Sequence, residues 1–156
     1  MDYGHWDIQA VGEFDPSDWF GFIYRIQHTG TGRAYIGKKI FTKKIWRQVN
    51  KKKKSHRAES DWRLYHSSSE ELKTEIAQSE SGQYCFVILR LCSGKAEWSY
   101  LEEQYQYTLN VLFARLPDGT KAYYNKTIGH RHFAGVEKQM GITVDKMSSR
   151  QAAIPQ

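Results

Sequence analysis

Two extended runs on either side of a glycine-containing turn constrain this chain more than any other feature. Trp19 to Ile26 is dense in aromatic and β-branched residues, His28-Thr29-Gly30-Thr31-Gly32 supplies turn chemistry, and Arg33 to Ile36 is a second short run. The pattern predicts a β-hairpin. Strand alternation puts Phe20, Phe22, Tyr24 and Ile26 on one face of the first run, with Gly21, Ile23 and Arg25 on the other. Each run carries a tyrosine, Tyr24 and Tyr35. A phenol on such a face can pack, donate a hydrogen bond, or act as an acid or base if its surroundings lower its pKa from about 10.

The charge beside this hairpin is segregated. From Trp19 to Ala58 there is no Asp or Glu, yet twelve of the 23 Lys and Arg fall there: Arg25, Arg33, Lys38, Lys39, Lys43, Lys44, Arg47, Lys51, Lys52, Lys53, Lys54 and Arg57. A net charge of +6 and a pI near 9.3 permit a polyanionic partner, and the segregation beside aromatics favours nucleic acid. Phosphate contacts of this kind hold a substrate without choosing its sequence, and they weaken with salt.

At 156 residues, 40% of them hydrophobic, the chain suits one domain with a core of ordinary size. No apolar run approaches the roughly 20 residues of a membrane-spanning helix, and the first residues, with Asp2 and Asp7, do not resemble a signal peptide. A cytoplasmic location without a membrane partner is the expectation. Cys85 and Cys92 fit a reducing compartment as buried free thiols in a strand, and their spacing is not a zinc pattern.

Further along, Ser67-Ser68-Ser69-Glu70-Glu71 offers overlapping Ser-x-x-Glu capping boxes, so a helix is expected from Ser68 or Ser69 to about Gln78. Gln83 to Leu91 reads as a buried strand, and Ser93-Gly94 leads into a longer helix from about Lys95 to Phe113. Leu116-Pro117-Asp118-Gly119 is a turn before a short strand at Ala122 to Asn125. The expected fold is a small α/β (α+β) domain, with a short, mostly antiparallel sheet that begins with the hairpin and is flanked by helices. Residues 1–18 read as a peripheral extension, 19–133 as the domain with a basic loop at about 43–57, and 134–156 as a tail.

On the longer helix, Trp98, Leu101, Tyr105, Leu109 and Leu112 form one apolar stripe. Glu102 lies at its edge, whereas Glu103 points nearly opposite. An edge carboxylate can reach into a cleft between helix and sheet and bind a hard divalent cation through oxygen.

Gly21-Phe22-Ile23-Tyr24 with Tyr35-Ile36-Gly37 resembles the paired motif that defines the GIY-YIG endonuclease superfamily, with Phe22 in place of the usual isoleucine or valine. His66-Ser67-Ser68, the helix after it, the strand Tyr84 to Leu89, the helix bearing Glu102 and Glu103, and Tyr123-Tyr124-Asn125 follow in the order of the phage-type homing endonuclease branch. The resemblance covers about residues 20–127.

It implies hydrolysis of DNA, most simply double-stranded, by a phosphodiesterase that uses one Mg2+ or Mn2+. Tyr24 would be the base or water-orienting group, and Tyr35 would assist in the same pocket. Glu102 would hold the metal, with Glu103 as the alternative, and Asn125 would support the site by hydrogen bonding. Family members usually carry an arginine soon after the second motif, but Lys38 to Arg47 has none at that spacing. Arg63, Arg47, Lys38 and Lys39 are the candidates for that cation, and Arg63 is favoured because a guanidinium suits phosphate.

His66 matches a family position that can assist at the phosphate, and it also reads as a surface turn residue. Lys39, Lys43, Lys44, Arg47, Lys51, Lys52, Lys53, Lys54, Arg57, His130 and Arg131 are the candidate backbone contacts. The competing class is a non-catalytic nucleic-acid-binding module that keeps the fold and the basic surface. A homodimer on the substrate is compatible with one active centre per chain.

Overall fold

The computed structural model describes residues 1–129 and the backbone of 132–133. The glycine-containing turn does make a hairpin: β1 (Gly21–His28) pairs antiparallel with β2 (Ala34–Ile40) and places Tyr24 opposite Gly37. β3 (Thr42–Val49) and β4 (Lys52–Glu59) form a second antiparallel hairpin. Then follow α1 (Glu70–Gln78), β5 (Tyr84–Cys92) and α2 (Lys95–Thr108), and a two-residue pairing of β6 (Thr127–Ile128) with β7 (His132–Phe133). β5 pairs antiparallel with the free side of β1, so the central sheet runs β2-β1-β5. The domain is a small α+β unit with antiparallel sheets.

Alternation along β1 divides the core. Ile23 points into a cluster with Ile36, Leu89, Leu101, Leu109, Val111 and Leu112, whereas Phe22, Tyr24 and Ile26 enter a second cluster with Trp6, Phe41, Trp62 and Leu72. The apolar stripe of α2 therefore packs where its periodicity puts it. The helix ends at Thr108 instead of Phe113, and Asn110, with φ near 50°, turns the chain away. Ala122 to Asn125 contributes a single parallel bridge, Tyr123 to Ala34, in place of a strand.

Three further expectations differ. The first residues are not peripheral: Trp6 is buried and donates from Nε1 to the Trp62 carbonyl at 2.6 Å. Asp7 bridges Val87 and shields the outer edge of β5, which would otherwise expose unpaired backbone groups. Cys92 is buried but Cys85 is exposed. The lysine run is ordered as β3 and β4 around a turn in which Asn50 and Lys51 both have positive φ, the type I′ geometry that suits strand twist. Charge alone reads as a loop; the pairing register, with strand formers such as Ile45, Trp46 and Val49 on one side only, is not visible in the lysines.

Helix α1 is capped by Ser69, whose hydroxyl accepts from Leu72 N at 3.3 Å. The Ser-x-x-Glu boxes thus go unused, since Ser67 instead accepts from Ser69 N at 2.8 Å. Truncation of Trp6 tests the role of the N-terminal segment. Trp6→Ala should destabilise the domain by about 3–5 kcal/mol in urea unfolding, whereas a peripheral residue would change it by less than about 0.5 kcal/mol.

Candidate active site

Tyr24 and Tyr35 meet across the β1–β2 ladder, with ring centroids 6.1 Å apart. The geometry depends on Gly37. Tyr24 lies directly opposite it, and a Cβ at Gly37 would sit 2.5 Å from Tyr24 Oη and 2.7 Å from Tyr35 Cε1. The glycine lets one phenol cross the strand. Gly37→Ala should push Tyr24 out of place, so any DNA cleavage that depends on this phenol should fall by about 10²-fold with little change in DNA binding. Parallel rate and mobility-shift measurements check this.

Tyr65 completes the aromatic group, its ring edge-on to Tyr24 at 6.1 Å. Tyr35 Oη shares a 2.9 Å hydrogen bond with Ser68 Oγ. Ser68 is presented by a strained turn: Ser67 is fully buried with φ at 107°, a conformation that L side chains rarely adopt and that concentrates at functional sites. Burial, then the neighbouring Tyr35, Tyr65 and Glu102, push the Tyr24 phenol well above its ordinary pKa. Burial also raises Tyr35; its bond to Ser68 partly offsets this and the Glu102 charge adds to it. Both phenols are therefore neutral near pH 7. The expected route to base function, a lowered pKa, does not operate in the domain by itself.

Glu102 extends from α2 toward this cluster, close enough for its charge to act on both tyrosines. Its side chain is 16% exposed and pairs with Lys38 Nζ at 3.0 Å. Lys38 also donates to Ser99 Oγ at 3.3 Å and lies 4.2 Å from the centre of the Trp98 ring. Glu103 does not point away from the protein as helical phase suggests; it is half-buried against Gly129. Of the two glutamates, Glu102 is the one that reaches the phenols.

Asn125 is buried beneath the second motif. Its Oδ1 accepts from Ile36 N at 3.0 Å and its Nδ2 donates to Ile36 O at 2.8 Å, while Gln106 Nε2 donates to the same carbonyl at 3.1 Å. The amide thus acts as a one-residue strand on the edge of β2 away from β1, and it positions Tyr35 through the backbone.

The sequence candidates for the cation separate. Arg63 is committed elsewhere: it donates from Nε to Asp2 O at 2.8 Å, pairs with Glu59 and stacks on Trp62 at 4.5 Å. Lys38 stands beside Glu102, and Lys39 lies 3.7 Å over the Tyr65 ring with its ammonium 2.7 Å from Asp61. His66 stacks on His5 with centroids 5.1 Å apart and lines a cleft with Phe86 and Tyr84. Burial, then His66, lowers the pKa of His5 to about 4. Arg47, Lys43, Lys44, Lys51 to Lys54 and Arg57 lie on the β3–β4 hairpin, and His130 and Arg131 fall outside the described residues. Tyr65 and Gln106 carry no sequence signal of their own, and Ser68, though inside the matched His66-Ser67-Ser68 run, has no role assigned by it, because each acts through tertiary contacts.

The family model described as "Putative endonuclease segE, GIY-YIG domain" matches residues 6–128. The chain belongs to the GIY-YIG endonuclease family. The match begins at the buried Trp6 and so takes in the segment that shields β5. No curated protein and no solved structure matches the chain. Within this GIY-YIG domain, Gly21 also has a steric role: a Cβ there would press on the Lys39 carbonyl and lie 2.9 Å from Trp98 Nε1, which donates to that carbonyl at 3.3 Å.

Proposed function

We propose that the protein is a divalent-metal-dependent DNA endonuclease that hydrolyses phosphodiester bonds in double-stranded DNA, of the kind encoded by phages or mobile elements and active in the cytoplasm of the cell. The convergence of Tyr24, Tyr35 and Glu102 beside the β1–β2 ladder carries this reading. Among the described residues no three acidic, histidine or cysteine groups gather as a metal site, so Glu102 would be the protein's main ligand. That suits Mg2+ or Mn2+, since magnesium keeps several waters and binds through one or two carboxylates plus substrate phosphate. The metal would supply charge neutralisation at the phosphate and a more acidic water.

The remaining steps belong to the chain. Lys38, beside Glu102, and Lys39, beside Asp61, would flank a bound phosphate as point charges in place of the family arginine. Tyr24 orients the attacking water through its neutral hydroxyl. Tyr35, held by Ser68 and by the Asn125 clamp on Ile36, lines the same pocket.

A second reading is a nucleic-acid-binding module without catalysis, and the ion pair of Lys38 with Glu102 favours it. Incubation of supercoiled plasmid with wild-type protein, in Mg2+ and in EDTA, separates the two. Cleavage confined to Mg2+ supports the enzyme, with nicked or linear product reporting monomeric or dimeric action. Salt-sensitive binding with no cleavage on any plasmid supports the module.

A further inference from the structure

The β3–β4 hairpin concentrates the charge of the chain on one projecting element. Thr42–Glu59 holds eight of the 23 Lys and Arg and one of the 17 Asp and Glu, which leaves 15 against 16 elsewhere. The arm therefore accounts for the whole excess of positive charge. Its acid, Glu59, is occupied at the base by Trp62 Nε1 at 2.7 Å and by Arg63.

Beyond the type I′ turn and Lys44 lying 4.4 Å over the Trp46 ring, little in the arm is arranged for stability in isolation. Every residue from Arg47 to Arg57 is exposed, Trp46 is 59% exposed and Val49 is 42% exposed, and a two-stranded ribbon with no buried face is marginal in water. The register sets Lys44 opposite Arg57 and Arg47 opposite Lys54, pairings that repel. At the tip, the turn position that glycine fills most easily is Lys51, at φ 61°. Among the described residues only the base is anchored, by buried Phe41 and by Ser60, which bonds the Ile40 carbonyl at 2.6 Å. Binding of a polyanion relieves the repulsion.

Alternation assigns the two faces. Lys44, Trp46 and Gln48 share one face with Arg57, Ser55 and Lys53. Gln48 and Arg57 are side chains that pair bidentately with adenine and guanine edges, and a two-stranded ribbon fits the major groove. The arm also starts two residues after β2 ends at Ile40, so it leaves from the strand that carries Tyr35 and Lys38.

We propose that the β3–β4 arm is a DNA-reading ribbon that enters the major groove beside the scissile phosphate, with the Trp46, Gln48 and Arg57 face on the base edges and Lys51, Lys52 and Lys54 on the backbone. This rests on the nuclease reading for its substrate. Strands of eight residues reach about 26 Å, or about 8 base pairs, so sequence preference is confined to that distance from the cut.

The test uses the full-length protein. Duplex binding is followed in EDTA across a salt series, and cut sites in a randomised library are sequenced after addition of Mg2+. Wild-type protein should show base preference within about 8 base pairs of the cut. Gln48→Ala with Arg57→Ala should flatten that preference about tenfold at the affected positions. Lys52→Gln and Lys54→Gln together should weaken binding to all sequences alike and lower the salt slope by about 0.9 for each phosphate lost. Thermal melting should not fall in either variant, since the altered side chains are exposed and two of them, Arg57 and Lys54, stand opposite like charges.

Variants that cut and bind as wild-type does overturn the arm and leave the nuclease reading standing. Wild-type protein that binds no duplex overturns both. Tighter, arm-dependent binding to an RNA hairpin of equal length makes RNA the partner and overturns the proposal.

Discussion

Glu102→Ala is expected to lower Mg2+-supported cleavage by about 10²–10³-fold or more while the domain remains folded and still binds DNA. The side chain stands at the margin of the core: Leu101, the preceding residue of α2, is buried, whereas Glu102 is 16% exposed and faces Lys38. Lys38 keeps Ser99 and the Trp98 ring when its carboxylate is removed, so the structural cost is on the order of 1 kcal/mol or less. Binding in EDTA should hold or tighten, because a negative charge leaves a site built for phosphate. Glu102→Gln retains shape and hydrogen bonding but not charge, and it should lose nearly as much activity as the alanine variant. Glu103→Ala should cleave at close to the wild-type rate, since Glu103 rests against Gly129. Full activity in both Glu102 variants, measured as initial rates on plasmid, would remove the carboxylate from the mechanism.

The parts of the fold that the sequence exposes are those specified by short-range patterning. The β1–β2 hairpin, α1, β5 and the apolar face of α2 each follow from alternation, caps or helical spacing within a few residues. Tyr24, Tyr35, Glu102 and Asn125 can be named from the sequence because the family resemblance points to those positions, and the structure brings the first three together. Three features depend on contacts over long stretches of chain and were not legible. Trp6 finds its place through a bond to the Trp62 carbonyl, and the N-terminal segment has no strand pattern to announce its bridge to β5. Arg63 looks like a phosphate ligand until Asp2 and Glu59 are seen beside it. The direction of the Tyr24 pKa shift is also tertiary: a phenol on a strand says nothing about how far Trp6, Tyr65 and Gly37 bury it.

That burial makes Tyr24→Phe the sharper of the two mechanistic tests. The phenylalanine ring fills the same space, so folding at pH 7–8 should change by about 1 kcal/mol, while loss of the hydroxyl should reduce cleavage by about 10²–10⁴-fold. The pH dependence distinguishes an orienting phenol from a base. Burial, with Tyr35, Tyr65 and Glu102 nearby, keeps the native phenol protonated well above the pH at which an unfolded tyrosine ionises, about 10. Above that pH the native state holds a proton that the unfolded chain has lost, so stability is full below about pH 10 and falls as the pH rises toward the native pKa. The urea midpoint of wild-type protein should therefore drop between pH 8 and pH 10.5, and it should drop less in Tyr24→Phe. Equal losses would mean that Tyr24 is not held neutral. For catalysis the same shift predicts a wild-type rate with no phenol inflection between pH 7 and about 9. An inflection in that window that disappears in Tyr24→Phe would show that bound metal and phosphate lower the phenol's pKa far enough to make it a base, whereas its absence leaves Tyr24 as the neutral hydroxyl that aims the water.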